Sequence, residues 1–363
     1  MTLRISRRGF LAASATSIGG IACAGPMAVL GRTPGDAWVA GKRINPAIDN
    51  LRVVHCGDPA MLTADPKRWD IEAQNAPVSA ERVRANVEAM ACALAQKGTP
   101  ADAWATIFQK PEAKAWADVK VAIKPNASGG NITRVAVIDA VLTGLVGLGV
   151  RPGNITLYGC PRFVEQEAQV YAPFLGRGLP AELVLSKGHE AMGGTVEAAV
   201  PDPAAGRYPC AAALADGRID LLVNIATNKG NFAPTFGGMS LTMKNHAGSF
   251  EMPLGRHLSG GLDYVIAFNK SDAILGGTPP RQQLCIVDSL WGMTSGPGGV
   301  PNKRPAALSM GTFGPAVDWV VSKHVREKVM GCTHSESLGS ILTAFGYAPA
   351  DFVDLGFVTV EPA

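Results

Sequence analysis

Residues 119–158, VKVAIKPNASGGNITRVAVIDAVLTGLVGLGVRPGNITLY, contain the pattern that decides the fold. The apolar run 119–123 predicts a short strand, and the Asn- and Gly-rich residues 126–131 predict a turn. Residues 134–148 predict an apolar helix, and residues 154–158 predict a second strand. A strand, a helix and a second strand at this spacing predict a βαβ unit, in which the two strands pair in parallel.

The same alternation continues on both sides of this unit. Further strands are predicted over 51–54, 183–186, 219–225 and 284–287. Further helices are predicted from an N-cap at Ser79 to Lys97 with Gly98 as the stop, over 101–108, over 314–330 and over 335–345. Residues 51–363 are therefore predicted to form an α/β domain with a mostly parallel twisted sheet, flanking helices and βαβ units.

The first residues are predicted to be a targeting signal rather than part of the folded domain. Ser6-Arg7-Arg8-Gly9-Phe10-Leu11 matches the twin-arginine export signal, and a short apolar stretch follows it. Ala22-Cys23-Ala24 supplies the small residues that a signal peptidase needs. Residues 1–24 are therefore predicted to be a twin-arginine signal peptide that engages the translocase and delivers the protein to the periplasm. Residues 25–50, rich in Gly, Pro and Ala, are predicted to be an extended leader.

Charge and hydropathy exclude two classes of partner. Removing residues 1–24 takes away three arginines and leaves 30 Lys plus Arg against 30 Asp plus Glu. A chain with this balance has no basic excess of the kind that nucleic acid requires. No run after residue 24 reaches the length of a transmembrane segment, so none is expected in the mature chain.

Cysteine spacing bears on the cofactor. The six cysteines outside residues 1–24 are 56, 92, 160, 210, 285 and 332, and no two of them have C-x-x-C spacing. Local spacing therefore predicts neither an iron–sulfur cluster nor a structural zinc, and we expect mostly buried, free thiols. A metal site would have to be assembled from separate loops, with His55, Cys56, Cys160 and His189 as its candidate ligands. The cofactor is otherwise unidentified.

Polar residues follow the predicted strands, where parallel sheets bind their ligands. Lys124, Lys229 and Lys244 are the predicted ligands of a small anion. Asn126, Asn228 and Asn245 are predicted to orient that anion by hydrogen bonds. His246 is the candidate acid–base group because its ordinary pKa lies near neutrality, and Asp288 is the candidate that orients a histidine or binds a cation.

Several short motifs resemble one known family when they are taken in order. They are Val121–Asn126, Gly129-Gly130 with Thr133, residues 222–229, Leu241–Asn245 with Gly248, His257, Ile286–Asp288, Gly296–Gly299 and Gly311–Asp318. Together they resemble the prokaryotic family called domain of unknown function 362, from about residue 51 to the end of the chain. The resemblance implies an α/β fold and says little about a reaction.

The chain departs from that family in two respects. Some relatives carry ferredoxin-type cysteine clusters, which this sequence lacks, so a redox association does not carry over. Many relatives have His two residues after the lysine matched by Lys229, where this chain has Asn231. The sequence therefore predicts an exported protein that binds a small anion or a metal-containing cofactor in a strand-end cleft. Whether it is an enzyme stays open, and a non-catalytic periplasmic binding or assembly protein is the alternative.

Overall fold

A nine-stranded, mostly parallel sheet forms the centre of the fold and confirms the predicted α/β class. The computed structural model describes residues 38–66, 70–160, 179–231, 238–253, 256, 261–296, 298–333, 337–352 and 356–363. The predicted signal peptide, the first part of the predicted leader and His257 lie outside these residues.

The strands follow one another across the sheet in the order β11-β1-β10-β9-β7-β2-β3-β4, and β8 pairs with the end of β7. Their bounds are β1 (Val53–Gly57), β2 (Val121–Pro125), β3 (Ile155–Leu157), β4 (Val184–Leu185), β5 (Thr195–Val200), β6 (Gly206–Ala211), β7 (Leu221–Gly230), β8 (Met239–Ser240), β9 (Gln282–Gly292), β10 (Ala307–Gly311) and β11 (Phe357–Thr359). Strands β5 and β6 form a separate antiparallel pair.

The five strands from β9 to β4 run parallel to one another, as the sequence predicts. Strand β10 lies antiparallel between β9 and β1, and no sequence feature predicts it. No helix is described between β9 and β10, and antiparallel neighbours need none.

The strand order reverses between β2 and β7. After β2 the chain adds β3 and β4 on one side, and it then returns to place β7 and β9 on the other side. Such a reversal is a topological switch point, where the loops leaving two neighbouring strands diverge and open a crevice. The carboxyl ends of β2 and β7 therefore frame the natural place for a ligand.

Helices cover both faces of the sheet. Their bounds are α1 (Ile71–Asn75), α2 (Ala80–Ala95), α3 (Pro100–Ile107), α4 (Val135–Gly147), α5 (Ala212–Ala215), α6 (Thr242–Asn245), α7 (Leu262–Lys270), α8 (Gly314–Val320) and α9 (Ser337–Ala344). Ser79 caps α2 as predicted, because its side chain accepts from the amide of Arg82. Helix α2 ends earlier than predicted, at Ala95, and its C-cap Gln96 has a left-handed φ of 53°. The predicted helix over 314–330 is α8 followed by a π-helix over Val321–Glu327.

Alternating strand residues build two cores, one on each face of the sheet. Val121 and Ile123 belong to one buried cluster, with α2, α3 and α4, whereas Ala122 belongs to the other, with α7 and α8. The six cysteines described are free, and three of them are buried: Cys56, Cys210 and Cys285. Within the described part of the chain, no helix combines the length and apolar character needed to cross a bilayer.

Candidate functional site

A cavity of about 270 Å³ lies at the switch point, at the carboxyl ends of β2 and β7. We call it the lysine cavity. Its lining residues are Lys124, Asn126, Ser128, Gly129, Cys160, Lys229, Ser240, Leu241, Lys244, Asn245, Ala247, Gly248 and Gly298. A larger cavity of about 680 Å³, bordered by residues 39–44 and 278–280, contains none of the predicted site residues. We therefore assign the candidate site to the lysine cavity.

Three lysines that are far apart in sequence line this cavity together. Lys124 comes from β2, Lys229 from the end of β7 and Lys244 from the short helix α6. None of the described residues that line the cavity is an Asp or a Glu. Three amino groups from separate parts of the chain therefore meet at one cavity.

Lys229 is the most deeply buried of the three lysines, with 2% of its surface exposed. Its Nζ donates to Asn126 Oδ1 at 2.5 Å and to the backbone oxygen of Ser128. Both acceptors are neutral. Burial lowers the pKa of Lys229 well below its ordinary value, and the positive charges of Arg134, Lys124 and Lys244 lower it further.

Lys244 is half-buried in the same wall. Loss of solvent around its ammonium group lowers its pKa to about 8, and the charge of Cys160 acts in the opposite direction. Lys244 is therefore protonated at neutral pH and loses its proton in mildly alkaline solution. Lys244 lies on α6, and hydrogen bonds from the amides of Thr242 and Met243 to Asp318 hold the first turn of this helix.

Gly248 makes room for Lys124. The Lys124 ammonium lies 5.7 Å from the centre of the Tyr158 ring, close enough for a cation–π interaction. A Cβ at position 248 would lie 2.9 Å from Lys124 Nζ and 3.3 Å from Cys160 Cβ. His189 donates from Nε2 to the backbone oxygen of Gly248 at 2.8 Å, which fixes this part of the wall.

Two of the predicted asparagines border the cavity and a third does not. Asn245 donates to the backbone oxygen of Lys124 at 3.0 Å and to Asn224 Oδ1 at 2.9 Å. Asn126 donates to Asn245 Oδ1 at 3.4 Å. This bond helps to hold Asn126 in the position where its Oδ1 accepts from Lys229. Asn228 instead lies in the protein interior, where it contacts Ser289 Oγ at 3.1 Å and Arg326 Nη1 at 2.6 Å.

His246 lies behind the cavity wall rather than in it. It is fully buried, and its Nε2 lies 2.5 Å from Gln282 Oε1, which can only accept. The same Nε2 lies 2.9 Å from the side-chain nitrogen of Asn224, and Nδ1 lies 3.0 Å from the Ser249 hydroxyl, so both ring nitrogens contact groups inside the protein. Burial lowers the pKa of His246 to about 3, so the ring is neutral at physiological pH. This geometry corrects the acid–base expectation: His246 supports the wall.

Asp288 is also internal. It accepts from the backbone amides of Arg134 at 2.8 Å and Leu290 at 3.1 Å. The buried Arg134 side chain approaches it to 3.8 Å. These bonds secure the start of α4. Among the described residues, Asp288 contacts no histidine, and it does not line the lysine cavity.

The four predicted metal ligands do not come together. His55 and Cys56 belong to β1, which is separated from β2 by β10, β9 and β7. Four strand spacings of about 4.8 Å place β1 roughly 19 Å from β2. Cys160 lines the lysine cavity, and His189 supports Gly248 beside it. Among the described residues, no group of three or more His, Cys, Asp or Glu side chains is placed to hold a metal ion.

Asp318 supports the site, and sequence reasoning missed it. It accepts from the amide of Met243 at 3.0 Å and from the amide and hydroxyl of Thr242, so it fixes the start of α6. Burial raises the pKa of Asp318 to about 7, although its three hydrogen bonds act to lower it. The sequence did contain a signal for this role, because Asp318 is the single acidic residue inside the apolar run 315–321.

No family model, no curated protein sequence and no solved structure matches the chain. The resemblance to the family named above therefore stays a prediction. The functional interpretation depends on the geometry of the lysine cavity.

Proposed function

We propose that the lysine cavity binds a small anion. The observation that carries this proposal is the convergence of Lys124, Lys229 and Lys244 on one cavity at the carboxyl ends of β2 and β7. Burying cations near one another is unfavourable, because each loses hydration and each repels the others. A bound anion would replace that repulsion with attraction, so the site gains most when it is occupied.

The dimensions of the cavity favour a small ligand. Pockets for drug-sized molecules occupy about 300–1,000 Å³, and the lysine cavity, at about 270 Å³, falls just below that range. Asn126 and Ser128 add polar contacts beside the ammonium groups. A short carboxylic acid, a phosphate or a sulfate has the size and charge that this arrangement fits.

A bare metal ion fits the cavity less well than an anion does. Of the described lining residues only Cys160 offers a soft ligand, and a protonated lysine such as Lys244 would repel a cation. A metal-containing cofactor would therefore have to present an anionic group to the lysines. Elemental analysis of the protein purified from its native host tests this version of the proposal.

Cellular location and family membership are further proposals, and both depend on the sequence. We propose that the Arg7-Arg8 motif directs export through the twin-arginine translocase to the periplasm. We also propose that the chain belongs to the family called domain of unknown function 362. If the protein is exported in this way, it binds its anion outside the cytoplasm.

Thermal unfolding and calorimetric titration with sulfate, phosphate, propionate and pyruvate test anion binding. An anion at 100 times its dissociation constant stabilises the folded state by about 2.7 kcal/mol. Sulfate and phosphate also stabilise proteins without a site, so a matched pair of variants is needed. We expect Lys244→Met to lose the specific part of the response and Lys97→Met, at an exposed position, to retain it. Equal responses in the two variants would contradict the proposal.

A further inference from the structure

The contacts of Lys229 fit a neutral amine better than an ammonium ion. A neutral amine has two N–H donors and one lone pair, whereas an ammonium group has three donors. In the described residues, Lys229 Nζ contacts two acceptors, Asn126 Oδ1 and the backbone oxygen of Ser128. Both donors of the amine are thereby used, and the lone pair is left over on a nitrogen that borders the cavity.

The surroundings of Lys229 also disfavour its protonation. Its pKa is lowered by burial and by three neighbouring cations, namely Arg134, Lys124 and Lys244. Its two hydrogen-bond acceptors carry no charge, so neither compensates for the lost hydration. Desolvation beside another cation is the arrangement that makes a lysine nucleophilic at neutral pH.

We propose that Lys229 adds to the carbonyl carbon of a small oxo acid bound in the lysine cavity and forms an imine with it. This inference rests on the proposed anion binding and narrows the ligand to one class: short carboxylic acids that carry a ketone or an aldehyde. Lys124 and Lys244 would bind the carboxylate, and Lys229 would meet the carbonyl group. Lys229 is then a catalytic residue, because it bonds to the substrate.

The step balances with groups that line the cavity. The Lys229 lone pair forms the N–C bond while the carbonyl π pair moves to oxygen, and one proton passes from nitrogen to that oxygen. The C–O bond of this addition product then breaks, and the hydroxyl leaves as water after it takes a proton. Lys244 supplies that proton, because it is protonated at neutral pH and lines the same cavity. The products are one water molecule, a protonated imine on Lys229 and a neutral Lys244.

Reductive trapping tests this step directly. The protein is incubated at neutral pH with pyruvate and sodium cyanoborohydride, and the modified residues are mapped by peptide mass spectrometry. We expect one adduct per chain, on Lys229, with the mass of pyruvic acid less one oxygen atom. It should form faster there than at exposed Lys97, by about tenfold for each unit by which the Lys229 pKa is lowered, until that pKa reaches the pH of the experiment. Adducts confined to the α-amino group or to exposed lysines would overturn the proposal.

Binding measurements with propionate distinguish an error in the imine proposal from an error in the anion-binding proposal. It has the carboxylate and carbon number of pyruvate but no carbonyl carbon that an amine can attack. Binding of both acids without an adduct on Lys229 would refute the imine and leave the anion site standing. Binding of neither acid would refute both proposals.

Lys229→Arg removes the nucleophilic amine and puts a guanidinium group in its place. We expect this variant to lose the specific adduct, and trapping on Lys229→Arg at an unchanged rate on another lysine would contradict the assignment. The exposed-site variant Lys97→Arg should retain the adduct. If Lys229→Arg does not fold, peptide mapping of the unmodified sequence still decides the question, because it identifies the trapped residue without any substitution.

Discussion

The Asp318 carboxylate accepts two hydrogen bonds from Thr242, at 2.9 Å from its backbone amide and at 2.6 Å from its hydroxyl. This contact joins helix α8 to the turn that carries Lys244. Asp318 itself does not border the lysine cavity. Its effect on a ligand would therefore pass through the position of Lys244.

Asp318→Asn should destabilise the protein and weaken anion binding together. The amide that replaces one carboxylate oxygen is a donor, so it opposes a backbone amide of α6 instead of accepting from it. A buried donor left without an acceptor costs about 1–3 kcal/mol in the free energy of unfolding. Denaturant titration of the variant measures this loss, and Asp263→Asn, at an exposed position, is the control. Equal stability of the two variants would show that the Asp318 contacts do not hold α6.

Ionisation of Asp318 should also make the free energy of unfolding depend on pH. Its pKa in the folded protein, about 7, lies above its ordinary value of 3.8, so the folded state holds this proton more tightly. The resulting stabilisation is full below about pH 3.8 and is lost as the pH rises through 7. The stability of the natural protein relative to Asp318→Asn should therefore fall over this interval.

Gly248→Ala should weaken anion binding without unfolding the protein. The added methyl group would meet the Lys124 ammonium at 2.9 Å, and the far end of that flexible side chain can move. We expect affinity for propionate to fall by about tenfold, which corresponds to about 1.4 kcal/mol of binding free energy. Gly98→Ala is the matched control, because a Cβ there meets nothing within 4 Å. An unchanged affinity in Gly248→Ala would argue against Lys124 as an anion ligand.

The buried histidines should make the protein sensitive to acid. Burial lowers the pKa of His246 to about 3 and those of His55 and His189 to about 4. Each is below the value of about 6.5 in the unfolded chain, so stability is full above pH 6.5 and falls as the pH drops toward these values. Each histidine contributes at most about 1.4 kcal/mol per pH unit, and Asp318 acts in the opposite direction.

Nuclear magnetic resonance of the imidazole groups checks this assignment residue by residue. The His246 signal, identified by its loss in His246→Gln, should not titrate between pH 5 and 8. A midpoint near 6.5 would restore His246 as a candidate acid–base group and would contradict its placement in the wall.

The sequence predicted the elements of the fold better than their order. The βαβ unit around Val135–Gly147 was predictable because the periodicity of a buried helix and the Gly-rich turn before it are local. The position of β10 between β9 and β1 was not, because it depends on pairing between segments that no local pattern connects. The π-helix over Val321–Glu327 was missed for a similar reason, since its side chains read as an ordinary amphipathic helix.

The sequence also did not show which individual polar residues face the lysine cavity. Asn228 and Lys229 are neighbours in β7, and neighbouring strand residues point to opposite faces, so only one of them could border the cavity. Lys244 and His246 follow one another around a helical turn, which directs His246 inward when Lys244 faces the cavity. Strand ends therefore locate the rim of the sheet, but side-chain direction decides which polar residues reach the ligand.

Export is the prediction that depends on the sequence alone. Arg7→Lys combined with Arg8→Lys keeps the charge and removes the twin-arginine motif, so we expect the protein to remain in the cytoplasm. Cell fractionation measures the distribution, and Arg4→Lys, outside the motif, is the control. Normal periplasmic recovery of the double variant would show that another route or another compartment applies.

Anion affinity should decline in alkaline solution as Lys244 loses its proton. The pKa of Lys244 is lowered to about 8, so the free protein holds this charge at pH 7 and releases it above pH 8. Affinity should be constant below that pH and should then fall by up to about tenfold per pH unit, because each binding event must first restore the proton. Lys244→Arg keeps its charge throughout this range, and its affinity should stay level where that of the natural protein falls. Calorimetric titration with propionate between pH 6.5 and 9.5 makes the measurement, and parallel profiles for the two proteins would exclude Lys244 as the titrating anion ligand.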